Sequence, residues 1–487
     1  MSLVARRAVL AGLLSGVASG AFARTRRKAK RTRPASAVIG GPLLPPAELV
    51  AAADLGGKVS FAVADAGTGR LFGALDPDMP MPPASTAKTI TSLYALEHLG
   101  TAHRFETRLV AAGAVKGGRI DGDLVLVGGG DPTLTTDDLG DMVEALVSAG
   151  VRQVTGRLAV WGGALPYLDS IDPEQPCWMG YSPAVCGLNL NFNRVNFVWQ
   201  EVAGGYRLSF DARAERYAPA VSIARMAVED RAAPLFSFAP AGPGESWTVA
   251  GAALGRAGSR WLPVRRPDLY AGDVLRTLAR DRGIDLSAPV ALDRAPQGTT
   301  LVSHQSQPLP NVLREMMKYS NNMVAETVGM AASLTRGIDD HGASAAEMTR
   351  WLAAKLGGAG AVFVDHSGLG GASRVTAAEM VVALTRLGPA EGLAALMKPV
   401  HLPDDRYEPP VAMPETVVAK TGTLNFVSAL VGYLTTADGQ HRVFAIYTAD
   451  TARRDAVPDA QKERPPGLRP WLARSRRLQE QLLRGWA

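Results

Sequence analysis

The strongest constraint on this chain of 487 residues is an interruption. Helix-period apolar patterns and paired strands occupy residues 34–104. From about Phe105 they give way to short strands and Gly-rich turns, and near residue 300 the first pattern returns. Two like segments around an unlike middle predict one α/β unit that carries a long insertion. In the first segment Lys58–Ala64 and Arg70–Leu75 flank a Gly67-Thr68-Gly69 turn and read as a hairpin. It leads into a helix whose Ile90, Leu93, Tyr94 and Leu96 face the sheet. After residue 300, helices are expected at Leu309–Lys318, Met323–Leu334, Ala345–Leu356 and Ala377–Leu387. Val362–Leu369 reads as a strand running into a loop, and strands follow at Thr416–Leu424, Val427–Leu434 and Val443–Thr448. A basic amphipathic helix, Trp471–Leu483, is suited to cover the open face of that sheet. The predicted division is a main domain of 38–104 with 300–487, and inserted accessory domains over 105–299. A mainly β unit nests within the insertion at about 200–258.

The net charge of +6 comes from the first 33 residues, which hold nine basic residues and no acid. The remainder is slightly acidic and carries no footprint for nucleic acid. Arg6-Arg7, a weakly apolar run from Ala8 to Gly20, and Ala21-Phe22-Ala23 have the form of an export signal over 1–23. The paired arginines before a weak apolar run point towards the twin-arginine route, with the general route left open. Residues 24–37 form a basic tail suited to anionic lipid or wall polymer, or simply to water. Export places the protein in the periplasm or on the outer face of the membrane. The two cysteines, Cys177 and Cys186, could then bridge, and the sequence leaves that open. With no third cysteine nearby a metal site is not expected.

Three short motifs carry the chemistry. Ser85-Thr86-Ala87-Lys88 follows Pro82-Pro83 and opens a helix, so the hydroxyl and the amine share one face a turn apart. A serine attacks only when something takes its proton, and a neutral lysine can do so. A free lysine titrates near ~10.4, so Lys88 needs a depressed pKa, which burial and a second nearby cation would supply. Alone the pair means little, since roughly 0.5 such matches arise by chance in a chain of this composition. Ser320-Asn321-Asn322, at a helix junction, and Lys420-Thr421-Gly422, on a strand, complete an ordered set that chance rarely assembles. Gly128-Gly129-Gly130-Asp131-Pro132 is a sharp turn, because no nucleotide-binding pattern follows it. His304 and His366 read as loop residues, with no motif that would make either a catalyst.

On these three motifs the chain resembles the low-molecular-mass, class C penicillin-binding proteins, serine-type D-Ala-D-Ala carboxypeptidases. Gly130-Asp131-Pro132-Thr133-Leu134, the run Pro308–Glu326 and Lys420-Thr421-Gly422-Thr423-Leu424 also read like that family. The resemblance implies a penicillin-binding, serine β-lactamase-like α/β (α+β) fold: an antiparallel sheet flanked by helices, with large inserted domains. It implies an acyl-enzyme on Ser85, with Lys88 as base and Ser320 as proton relay. Asn322 would orient Lys88 and the substrate amide. Lys420, Thr421, Gly422 and Thr423 would form the wall that receives the substrate carboxylate. Backbone N–H groups of Ser85 and Thr423 would make the oxyanion hole. The implied substrate is a peptidoglycan stem peptide ending in D-Ala-D-Ala, with β-lactams as covalent inhibitors and no metal or organic cofactor. Endopeptidase action on the same polymer stays open. So do a β-lactamase or esterase on the same site, and a penicillin-binding sensor without turnover. Two departures stand out: His366 where the family usually has glycine, and Gly370-Gly371 where it often has serine and arginine. Both are expected at the edge of the substrate cleft, and Arg374 is a candidate contact to the peptide stem.

Overall fold

The computed structural model describes residues 44–358, 360–402 and 414–487. It also describes the backbone of two short strands, Ile39–Gly40 and Tyr407–Glu408, paired in parallel. The expected export signal and the basic tail lie outside the described residues. Those residues divide into two compact units. One contains 44–97, 313–320 and 345–487, and the other 98–312 and 321–344.

The first unit is built on a six-stranded, wholly antiparallel sheet. Its strands in chain order are β1 (Lys58–Asp65), β2 (Leu71–Leu75), β3 (Lys398–Pro399), β4 (Thr416–Leu424), β5 (Val427–Thr435) and β6 (His441–Ala449). Across the sheet they run β3-β4-β5-β6-β1-β2. β5 lies near the middle and reads almost continuously apolar because both of its faces are covered. On one face Trp471, Leu478 and Leu482 of a long C-terminal helix, Leu468–Gly485, pack with Leu49, Phe61, Val63 and Ile446. The indole of Trp471 donates to the carbonyl of Leu55, 2.7 Å away, which satisfies a polar group carried into the core.

Against β4 and β5 on this sheet sits a short 3₁₀ turn, Ala84–Thr86, that runs directly into helix α1 (Ala87–Leu99). The helix Ala377–Arg386 packs on β1 and β6. It starts with a reciprocal cap in which Thr376 and Glu379 each satisfy the other's backbone N–H. Val362–Leu369 is not a strand. It is a loop with a single bridge from Val362 to Arg374, and its order comes from side-chain bonds.

The second unit holds a mixed sheet whose neighbours run Val290–Ala291, Leu158–Trp161, Arg119–Gly128, Glu106–Lys116 and Thr299–Gln305. Two three-stranded sheets follow from 194 to 263, and the helices Thr136–Ser148 and Pro267–Arg280 close a core around Leu126, Leu139, Phe197 and Val274. Thr299–Gln305 pairs along Glu106–Lys116 and is part of this sheet. Cys177 and Cys186 are free thiols, Cys186 buried and half-buried Cys177 beside the same core.

Candidate active site

Between Met81 and Leu96 every residue is buried except Ser85, which is half-buried. The turn that lifts it out is strained: Ala84 has φ +47°, the left-handed region that residues with a Cβ rarely enter. One turn on, the fully buried Lys88 brings Nζ to 3.0 Å from Oγ of Ser85. Lys88 also donates to the carbonyl of Ser367 at 2.7 Å.

That carbonyl is held in place by a loop the motifs did not assign a role. Asp365 accepts from the backbone N–H of Gly368 at 2.6 Å and of Gly370 at 2.5 Å, folding the loop around its carboxylate. Gly368 has φ +73°, and a Cβ there would lie 1.9 Å from the carbonyl oxygen of Ala84. Only glycine permits the loop to lie against the Ser85 turn. The signal for this loop was an aspartate three residues before a glycine, which a turn reading alone could have picked out.

Ser320 sits between the helices Leu309–Tyr319 and Asn322–Leu334 with φ +56°, a second left-handed residue at the site. Its Oγ accepts from Nζ of Lys420, 2.9 Å away, and Lys420 also donates to the carbonyl of Thr421 at 2.6 Å. Lys420 is 1% exposed. Burial, then the charges of Lys88 and Lys398, hold it well below the usual lysine range. Gly422 is buried where β4 runs beside the Ser85 turn: a Cβ there would stand 2.9 Å from Pro83 O and 3.1 Å from Ser85 N. Beside it Thr421 is half-buried and Thr423 exposed.

Ser85, Lys88, Ser320, Lys420, Thr421, Gly422 and Thr423 thus all belong to the first unit. Asn322 begins a helix grouped with the second, where its Nδ2 donates to Tyr181 O at 3.0 Å and the neighbouring Asn321 caps the helix.

A buried lysine on a seryl oxygen, with a second lysine–serine pair in the same unit, is the equipment of an acyl-transferring serine enzyme. Over residues 47–465 the sequence matches the model of the D-Ala-D-Ala carboxypeptidase 3 (S13) family. The chain belongs to this family. It is 30% identical over 422 residues to the D-alanyl-D-alanine carboxypeptidase of Actinomadura sp. (strain R39), covering 79% of this chain and 77% of that protein. It is 25% identical over 387 residues to the D-alanyl-D-alanine carboxypeptidase DacB of Haemophilus influenzae, covering 74% and 79%. The crystal structure of penicillin binding protein 4 (dacB) from the same organism aligns with a TM-score of 0.70 at 21% identity, over 90% of this chain and 99% of that one. The S13 chain therefore has the penicillin-binding fold and is a serine-type D-Ala-D-Ala carboxypeptidase.

The departure at His366 is not at a cleft edge. The residue is fully buried: its ring stacks on Tyr94 with centroids 6.4 Å apart, and its Nδ1 lies 3.4 Å from Sδ of Met348. Its carbonyl accepts from Thr91 at 2.6 Å. The histidine fills core space behind the site. Arg374, the candidate contact to the stem, donates to the carbonyls of Gly371 and Ser373 at 2.6 and 2.8 Å and braces its own loop.

Proposed function

We propose that the S13 enzyme removes the terminal D-Ala from peptidoglycan stem peptides ending in D-Ala-D-Ala, through an acyl-enzyme on Ser85. One observation supports this most directly. Lys88 and Lys420, both buried, each meet a seryl oxygen, Ser85 at 3.0 Å and Ser320 at 2.9 Å. As a neutral amine Lys88 takes the Ser85 proton, and the seryl oxygen bonds to the carbonyl carbon of the penultimate D-Ala. The resulting oxyanion is met by the backbone N–H groups of Ser85 and Thr423, a contribution of roughly 3–4 kcal/mol in such sites. The C–N bond then breaks as Ser320 passes a proton to the leaving amine, and water attacks the ester to release the shortened peptide. Lys420, Thr421 and Thr423, with Gly422 giving the approach, receive the free carboxylate, which restricts attack to chain ends.

β-Lactams would acylate Ser85 in the same way. The Haemophilus protein has been solved in complex with one. The substrate lies in the cell wall, so the site of action is outside the cytoplasmic membrane, reached through the signal at 1–23 and with the basic tail free to touch wall polymer. Among the described residues no helix is long and apolar enough to cross a membrane. Whether cross-linked peptides are also cut, as an endopeptidase would cut them, depends on the same acyl step.

The test is to incubate pure protein with a D-Ala-D-Ala pentapeptide and, separately, with fluorescent penicillin. D-Ala release and stable labelling are expected, and Ser85→Ala abolishes both. Labelling that survives in Ser85→Ala refutes the nucleophile, and fast penicillin hydrolysis in place of stable labelling refutes the carboxypeptidase reading.

A further inference from the structure

A short helix, Thr451–Asp455, follows β6 in the first unit, and its two adjacent arginines reach different parts of the Ser85 site. Its start is fixed on the turn between β4 and β5. The N–H of Asp450 donates to the carbonyl of Phe426 at 2.9 Å, and the Asp450 carboxylate accepts from the N–H of Arg453 at 3.0 Å. The guanidinium of Arg453 lies over the buried ring of Phe426, 4.3 Å from its centroid. Phe426 comes just after Thr423, the end of the wall proposed to receive the substrate carboxylate.

Arg454 reaches the loop at 365–371 instead. A Cβ on Gly371 would stand 2.7 Å from Nη2 and 3.3 Å from Cζ of Arg454, so the guanidinium occupies the space that a side chain at 371 would need. Where the family often has arginine, this chain has a glycine that admits a guanidinium from position 454. The carbonyl of Gly371 accepts from Arg374 at 2.6 Å. Gly371 ends the loop that Asp365 folds through the N–H groups of Gly368 and Gly370, and that loop presents the Ser367 carbonyl to Lys88 at 2.7 Å. Half-buried Arg454 therefore packs on the segment that supplies the acceptor for the Lys88 amine. A planar guanidinium suits such a place, since its fork is rigid and little freedom is lost on packing it.

We propose that Arg454 is a positioning residue for Lys88. With its helix fixed on Phe426 through Asp450 and Arg453, it sets the 365–371 loop against the β4–β5 turn, and so keeps Ser367 O, Lys88 and Ser85 in register. The inference rests on the acyl-enzyme reading above.

Fluorescent penicillin at graded concentrations separates binding from bond formation, and D-Ala release from pentapeptide gives kcat and KM. Arg454→Ala should lower the acylation rate constant and kcat about ten-fold, the cost of roughly 0.5 Å of misplacement, with KM unchanged. Gly371→Ala perturbs the same contact from the loop side. Gly371 has no positive φ, and the atoms nearest its new methyl all belong to the Arg454 guanidinium, so the fold tolerates the change while that flexible tip is pushed away. It should slow acylation too. Added to Arg454→Ala it should cost nothing more, because the guanidinium is already gone. Wild-type rates in Arg454→Ala, a raised KM at unchanged kcat, or single effects that multiply in the double variant overturn the assignment. If Arg454→Ala does not fold, wild-type acylation of Gly371→Ala overturns it alone. Parent protein that penicillin fails to acylate counts instead against the Ser85 reading.

Discussion

Gly422→Ala tests how closely β4 must approach Ser85, the proposed nucleophile. The added Cβ would lie 2.9 Å from Pro83 O and 3.1 Å from Ser85 N, whereas ordinary contact begins near 3.4 Å. Strand and turn must therefore separate by about 0.3–0.5 Å, since neither close atom is the end of a flexible side chain. A misplacement of 1 Å at a reacting centre can cost about 10²-fold in rate, so half of that should cost roughly ten-fold. The assay is the second-order rate of Ser85 acylation by fluorescent penicillin, alongside D-Ala release from pentapeptide. Both should fall about ten-fold, with the melting temperature within about 2–4 °C of the parent. Gly73→Ala is the control, because there the same methyl meets Val63 at an ordinary 3.6 Å. Wild-type acylation by a folded Gly422→Ala protein would refute the view that this approach sets the geometry at Ser85.

Three further outcomes are expected. Lys420 is held below its usual pKa, so the folded protein binds fewer protons there than the unfolded chain, and stability rises with pH up to the unfolded pKa near ~10.4. Parallel denaturation of Lys420→Met should lack that rise, and a variant whose stability follows the parent's between neutral and alkaline pH would contradict it. Asp365→Ala frees the N–H groups of Gly368 and Gly370, which should cost about 2–3 kcal/mol in urea unfolding and slow acylation by loosening the Ser367 carbonyl against Lys88. His366→Ala empties buried space beside Tyr94 and Met348, so about 2–4 kcal/mol of stability should go while KM for pentapeptide stays put. A changed KM at unchanged stability would return His366 to the substrate cleft.

What could be read from the chain was what is local. Ser85 and Lys88 are three apart where the 3₁₀ turn runs into α1, and Lys420, Thr421 and Gly422 are neighbours on one strand, so spacing alone brings the members of each motif together. No local pattern gives the loop at 365–370 a role, because its purpose lies in a contact between Ser367 and Lys88 across 279 positions. For the same reason the sequence points His366 to a cleft edge: nothing near it in sequence announces Tyr94 and Met348. The first pattern is expected to return near residue 300, yet Thr299–Gln305 pairs with a strand almost 200 residues earlier. Strand partners are set by register with distant chain, which a window of neighbouring residues does not contain. Nor could the left-handed φ of Ala84 and Ser320 be foreseen, since neither residue type favours it.

The pairing of β1 with β6 sets Lys58 opposite Ala449, residues about 390 apart in sequence. During synthesis β1 therefore waits, without its central neighbour, until nearly the whole chain has emerged. The second unit has most of its partners between residues 98 and 312 and can form first. Once folded it no longer behaves as a long random loop, and its compact form shortens the distance the two halves of the first sheet must search. The insertion would then act as an internal scaffold for assembly. Destabilising its core should lower the yield of active enzyme even where the Ser85 site is untouched.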